Sequence, residues 1–214
     1  MRRPHRDPEG GAGGGALVSR VVLATHNAHK VAEFQAIVAT IRPDLEVVAY
    51  DGPEPVEDGV SFAENALIKA RAASAHTGLP ALADDSGICV HVLGGSPGVF
   101  SAYWAGHAKD DRANLALLLD QLSDIRDPYR TAHYNSTIAI VTPGGIEHTV
   151  EGIWPGRLAE EPRGEGGFGY DPIFIPDGQD GRERSVGEFT AHEKNAVSHR
   201  ARAFQELGPL LAAL

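Results

Sequence analysis

The chain has 214 residues, with 19 Lys plus Arg against 29 Asp plus Glu, and so a formal charge of −10. A chain this long buries enough apolar surface to fold without cross-links, and its lone Cys89 rules out both an internal disulfide and a thiolate zinc site. The acidic balance argues against a protein that wraps nucleic acid, and no apolar run approaches the roughly 20 residues of a membrane span.

Residues 1–15 combine charges, prolines and a glycine cluster without apolar periodicity, and read as a disordered tail. They lack the apolar stretch of a signal peptide, so a cytoplasmic protein is expected. A single domain follows over 16–214. Residues 17–24 form a continuous β-branched and apolar run, as in a strand covered on both faces. A helix over 28–41 then places Val31, Phe34, Ile37, Val38 and Ile41 on one side. Residues 45–50 read as a second strand. Ser61 opens a long helix through His76, closed by Gly78 and Pro80. Residues 81–83 and 88–93 read as strands flanking a tight turn at 84–87, and 110–122 as a helix. A hairpin is expected from 132–141 and 147–154 around Pro143, Gly144 and Gly145. Residues 162–169 are too rich in glycine for regular structure, and a last helix over 192–207 ends at Gly208 and Pro209. This alternation predicts an α/β fold: a mixed sheet with flanking helices, and two lobes enclosing a central cleft.

Four segments carry chemistry. Thr25, His26, Asn27, Ala28, His29 and Lys30 join the first strand to the first helix, where free N–H groups and a partial positive charge suit a phosphate. A helix cap with a solvated Lys30 explains the same residues, and no GxxxxGK[ST] run is present. Asp84 and Asp85, followed by Ser86 and Gly87, offer adjacent carboxylates for a hard cation such as Mg²⁺; Glu64 is a candidate third acid. Glu64 also completes a capping box with Ser61, and spacing does not separate the two roles, whereas Thr190 and Glu193 are assigned to capping alone. In the segment 164–172, glycines allow close backbone approach, Phe168 offers a face for base stacking and Asp171 an acceptor. The alternative is a flexible loop with Phe168 in the core. Lys194, Ser198, His199 and Arg200 gather three nitrogen-bearing side chains and a hydroxyl, suited to a phosphate or a purine edge.

In order and spacing these segments resemble the inosine triphosphate pyrophosphatase-like family, the dITP/XTP pyrophosphatases. The resemblance runs from about Val21 to Leu207. It is carried by the segments above, by Phe62-Ala63-Glu64-Asn65-Ala66 with Lys69-Ala70, and by Leu93-Gly94-Gly95 with Pro97-Gly98-Val99. It implies Mg²⁺-dependent hydrolysis of non-standard purine triphosphates between the α and β phosphates, in a cytoplasmic homodimer. By resemblance Asp85 is the general base and a metal ligand, with Glu64 and Asp84 supporting the metal and Ser86 contacting substrate. Residues 25–30 match the phosphate-binding segment. Phe168, Gly169, Tyr170, Asp171, Lys194, His199 and Arg200 match positions that bind base and substrate. Two departures stand out: Tyr103 replaces the Arg usual in Ser-Ala-Arg-Tyr, and His91 stands where an acid is common. A nucleotide sensor without turnover and a Mg²⁺ phosphatase releasing terminal phosphate are the competing readings; three candidate metal acids argue against the sensor.

Overall fold

A computed structural model describes residues 19–213, so the expected tail at 1–15 lies outside the described residues. The elements are β1 (Ser19–Leu23), α1 (Ala28–Ile41), β2 (Leu45–Ala49), α2 (Phe62–Thr77), β3 (Ala81–Val90), α3 (Asp111–Gln121), β4 (Thr131–Val141), β5 (Glu147–Leu158), β6 (Phe174–Pro176), α4 (Ala191–Val197) and α5 (His199–Ala212). Six strands form one mixed sheet in the order β2-β1-β3-β4-β5-β6. β1 runs parallel to β2 and β3, and the remaining pairs are antiparallel.

Local chemistry sets most boundaries. Asn27 caps α1 by accepting the His29 and Lys30 N–H groups, and Ser61 Oγ accepts the Glu64 N–H at the start of α2. α2 stops at Gly78, whose φ of 66° is cheap only without a Cβ. Ala66, Ala70 and Ala73 on its buried face let it lie close to Ala81, Ala83 and Ala139 of the sheet. On the opposite face, α1 and α5 bury Phe34, Val38, Phe204, Leu207 and Leu211 against Val21, Leu23, Leu82, Ile138 and Ile140. Each such side chain contributes roughly 1.5–3 kcal/mol when fully buried. Beyond the end of β1 a second lobe forms: Ile88, Val90, Ala132, Tyr134, Trp154 and Leu158 pack with Leu118 and Leu122 from the α3 region and with Ile173 and Phe174. The long strands β3, β4 and β5 belong to both lobes, and the cleft opens between them.

Three expectations are corrected. Residues 84–87 are not a turn; β3 is continuous from Ala81 to Val90 because every one of its residues is paired with β4. Residues 96–101 line its other edge, with Val90 N–H donating to Ser96 O at 3.0 Å and Ile88 N–H to Ser101 Oγ at 2.9 Å. Ladder pairing outweighs the turn preference of Asp, Ser and Gly. The last helical stretch is two helices, divided at Ser198, which is extended at ψ 165° and caps α5 through its Oγ. α5 also continues past Gly208 and Pro209, because Leu207 and Leu211 are both buried against α1 and the sheet. The start of α5 presses directly on β5. A Cβ built on Gly152 would lie 2.0 Å from His199 O and 2.4 Å from Ala203 N, so only glycine permits this approach. Among the described residues, no helix is long and apolar enough to cross a membrane.

Candidate active site

β1 pairs with β3 only as far as Leu23 and Leu82, so the Asp84-Asp85-Ser86 stretch of β3 runs past the end of its parallel neighbour. Ligands in such sheets bind where strands end in this way. Consecutive strand residues point to opposite faces, which sends Asp84 toward α1 and Asp85 toward α2. Two cavities flank this stretch.

The first, of about 210 Å³, is lined by Thr25, His26, Lys30, Tyr50, Glu54, Glu57, Lys69, Asp84 and Lys109, among others. Lys30 is not a solvated helix residue: its Nζ donates to both oxygens of Asp84, at 2.7 and 2.8 Å. Burial alone would push the Asp84 carboxyl up. Lys30, then Arg200 and Lys69, outweigh burial and hold it below the usual carboxylate value. The His26 ring lies parallel to Tyr50, with Nε2 2.9 Å from Gly52 O. Of the expected phosphate segment, Thr25, His26 and Lys30 line the cavity. Asn27 serves as the cap, and Ala28 and His29 are exposed on the first turn.

Asp85 has a different environment. Burial raises its carboxyl above the usual value, Lys69 offsets this in part, and Glu57 adds to it. Lys69 Nζ lies 3.4 Å from Asp85 Oδ1 and 2.7 Å from Glu57 Oε2. Asp85 Oδ2 is buried without a partner. An orphaned anionic oxygen is costly in a protein interior unless something supplies charge or hydrogen bonds.

The second cavity, of about 220 Å³, brings together all of Ser86, Phe168, Gly169, Tyr170, Asp171, Lys194, His199 and Arg200, with Tyr134 and Asp111 among the other lining residues. Phe168 is 59% exposed, so it is not a core residue. Lys194 Nζ sits 4.1 Å from its ring centroid and the Arg200 guanidinium carbon 5.7 Å. Asp171, 1% exposed, organises the loop: its Oδ2 accepts from Phe168 N–H at 2.8 Å and Lys194 Nζ at 2.5 Å. Gly169 N–H donates to Asp111 Oδ2 at 3.0 Å, and Tyr170 O–H to Ser101 O at 2.8 Å. His199 lies parallel to Tyr134 with centroids 4.8 Å apart. Burial, with Arg200 and Lys194 nearby, pushes its pKa down to about 3, so the ring is neutral at pH 7. Its Nδ1 and the Arg200 Nε are buried without partners.

Several of these residues escape sequence reasoning. Glu57 and Lys109 lie in segments without periodicity, and Tyr134 reads as an ordinary core position of a strand. Asp111 reads as part of a helix start. Conversely, Glu64 does not join Asp84 and Asp85: its Oε2 accepts the Val60 N–H at 2.7 Å, as a cap. The Thr190 capping box forms as expected. Tyr103 lines neither cavity and stacks on His107 at 5.3 Å. His91 pairs with His133, Nε2 to Nδ1 at 3.1 Å.

Among the described residues, no three His, Cys, Asp or Glu side chains converge on a ready-made metal centre. The donor chemistry still fits a hard divalent cation at one place. Asp85 carries the unpartnered oxygen, and Glu57 shares its lysine.

Residues 21–210 match the Ham1 family. The chain is 60% identical over 195 residues to the dITP/XTP pyrophosphatase of Leifsonia xyli subsp. xyli, covering 91% of this chain and 96% of that protein. It is 50% identical over 201 residues to the protein of the same name from Streptomyces avermitilis, covering 92% and 99%. Among solved structures, a HAM1 protein from Coxiella burnetii superposes with a TM-score of 0.83 at 37% identity, over 92% of this chain and 100% of that one. A nucleoside-triphosphatase / dITP/XTP pyrophosphatase from Mycobacterium abscessus superposes at 0.77 with 48% identity, over 88% and 98%. A match that runs from the first strand into the last helix, at these identities and with the same backbone, makes this chain a member of the Ham1 family.

Proposed function

We propose that this enzyme hydrolyses non-standard purine nucleoside triphosphates, namely ITP, dITP and XTP, to the monophosphate and pyrophosphate. The observation that carries this reading is the pair of cavities on either side of Asp84, Asp85 and Ser86. One carries three lysines among carboxylates, and the other an exposed ring with polar groups behind it. That is the chemistry a nucleotide presents, with an anionic tail at one end and a flat heterocycle at the other. The names of the relatives point the same way.

In this reading Lys30 and Lys69 offset phosphate charge while Asp84 and Asp85 keep them fixed in place. Asp85 orients the attacking water and takes its proton. The α–β phosphoanhydride breaks and pyrophosphate leaves. Asp85 and Glu57 would hold a Mg²⁺ ion, which would supply charge neutralisation to the phosphates. Phe168 stacks on the base. His199 and Arg200 present polar atoms to its edge, and a 6-oxo group accepts where adenine's amino group would donate. By the family resemblance, the working unit is a cytoplasmic homodimer.

The test is product identification after incubation with ITP, ATP and GTP in the presence of Mg²⁺. Pyrophosphate from ITP is expected, with ATP and GTP spared. Orthophosphate would instead identify a phosphatase, and tight binding without turnover a sensor.

A further inference from the structure

The wall of the phosphate-side cavity carries three lysines, and two of them are already neutralised. Lys30 is held by Asp84, and Lys69 by Glu57 and Asp85. The His26 ring lies against Gly52 O and Glu54. Lys109 is different. It lines the same cavity, and among the described residues its ammonium has no carboxylate within 4.0 Å and no hydrogen-bond acceptor. The wall opposes its three lysines with Asp84, Glu54 and Glu57, and Asp85 stands beside them. With Asp85 counted, four carboxylates stand against three lysines, and among the described residues of this wall Lys109 is the lysine left without a carboxylate, free to meet a polyphosphate.

The backbone points to the same residue. Lys109 has φ 52°, a left-handed conformation that only it and Asp180 adopt among the described non-glycine residues. Strained positions persist where their surroundings fix them, and they cluster at ligand clamps. Here the next two residues do the fixing. Asp110 Oδ1 caps α3 by accepting from Arg112 and Ala113 N–H, and Asp111 Oδ2 accepts the Gly169 N–H of the base-side loop. This short segment thus spans the two cavities, with Lys109 lining one and Asp111 the other.

We propose that Lys109 is a further substrate-binding residue of this enzyme, a cation held in a strained turn to bind the polyphosphate of the nucleotide. It rests on the nucleotide reading above and adds to it a residue that neither the sequence motifs nor the names of the relatives single out. Its place in the turn makes it a determinant of binding rather than of the chemical step.

The test uses Lys109→Met, Lys109→Arg and Lys109→Gly in the full chain. A charge-assisted contact of ordinary strength predicts that KM for ITP rises about tenfold to thirtyfold in the Met and Gly variants, while kcat changes less than about threefold. Arg restores most of the loss, and the wild-type KM rises more steeply with salt than that of the Met variant. The Gly variant melts no lower than wild type, since glycine relieves the φ strain; a purely structural lysine would give the opposite. An unchanged KM in Lys109→Met, or full recovery by Gly with none by Arg, overturns the proposal. Calorimetry with inorganic tripolyphosphate keeps the two readings apart. Weaker binding by the Met variant supports Lys109 whatever product the wild type releases, and equal binding refutes it. Orthophosphate released from ITP overturns the reaction alone.

Discussion

Gly167 and Gly169 sit two residues apart in the base-side loop, both with positive φ, at 75° and 59°. An alanine at either position must adopt a left-handed backbone, at a cost of about 1–2 kcal/mol. The two differ in what the new methyl group meets. At Gly169 nothing lies within 4 Å; at Gly167 the Cβ would stand 2.1 Å from Asp171 Oδ2. Ordinary contact begins near 3.4 Å, so the carboxylate must retreat by more than 1 Å. It then cannot keep both its 2.8 Å bond from Phe168 N–H and its 2.5 Å bond from Lys194. Loss of one hydrogen bond to a charged group adds about 1.5–3 kcal/mol. Gly167→Ala should therefore cost about 2.5–5 kcal/mol in total and Gly169→Ala only about 1–2 kcal/mol. Urea unfolding of both variants measures the difference. Turnover should follow it, with KM for ITP raised at least about tenfold by Gly167→Ala, since Phe168 loses its anchor, and altered only a few-fold by Gly169→Ala. Equal destabilisation by the two alanines would show that Asp171 does not hold the loop.

Three further outcomes are expected. Asp85→Asn should lower kcat by about 10²- to 10⁴-fold while leaving the melting temperature at or above that of wild type, because a desolvated acid is replaced by a neutral isostere; turnover near wild type removes Asp85 from the mechanism. Phe168→Ala should weaken binding of every purine triphosphate by about 1–3 kcal/mol, or roughly 5- to 150-fold, with little effect on melting since the ring is 59% exposed; unchanged ITP affinity puts the ring outside the site. Burial, with Arg200 and Lys194 nearby, pushes the folded His199 down to about 3 from its ordinary value of 6.5, so its contribution to stability is complete above pH 6.5 and is lost as pH falls, when the unfolded chain takes a proton that the folded ring refuses. The slope is about 1.4 kcal/mol per pH unit. It should vanish in His199→Gln; parallel pH–stability curves for the two proteins between pH 6 and 4.5 would show that the folded ring takes up the proton.

What the sequence reveals depends on how far each determinant reaches along the chain. Asn27, Ser61, Gly78 and Thr190 mark helix ends through bonds that span three or four residues, and all four act as their types suggest. Asp84 to Gly87 mislead for the opposite reason. Their side chains favour a local turn, while the ladder that straightens them comes from β4, about fifty residues away. The break at Ser198 is hidden because apolar spacing continues across it. Family resemblance brings the base-side residues together, and the structure gathers all of them in one cavity. Glu64 accepts the Val60 N–H at the start of its helix, while Glu57, which no motif marks, lies beside Lys69. Tyr134 reaches Asp171 across 37 residues of chain, a contact with no trace in spacing or composition.

The contact between Gly152 and α5 has a consequence for how this enzyme can change. His199 and Arg200 open that helix, and with the His199 carbonyl only 2.0 Å from where a Cβ would be, any side chain at Gly152 would lever the helix off the sheet. If the cavity beside His199 and Arg200 takes the base, as proposed, its depth is set by an absent side chain, and movement of the helix toward the sheet is blocked as a route to new base preferences. Natural or laboratory evolution toward bulkier damaged purines has to proceed by exchanging side chains on a fixed frame, at Tyr134, Lys194 or Arg200. A selection that allowed Gly152 to vary should return glycine almost every time.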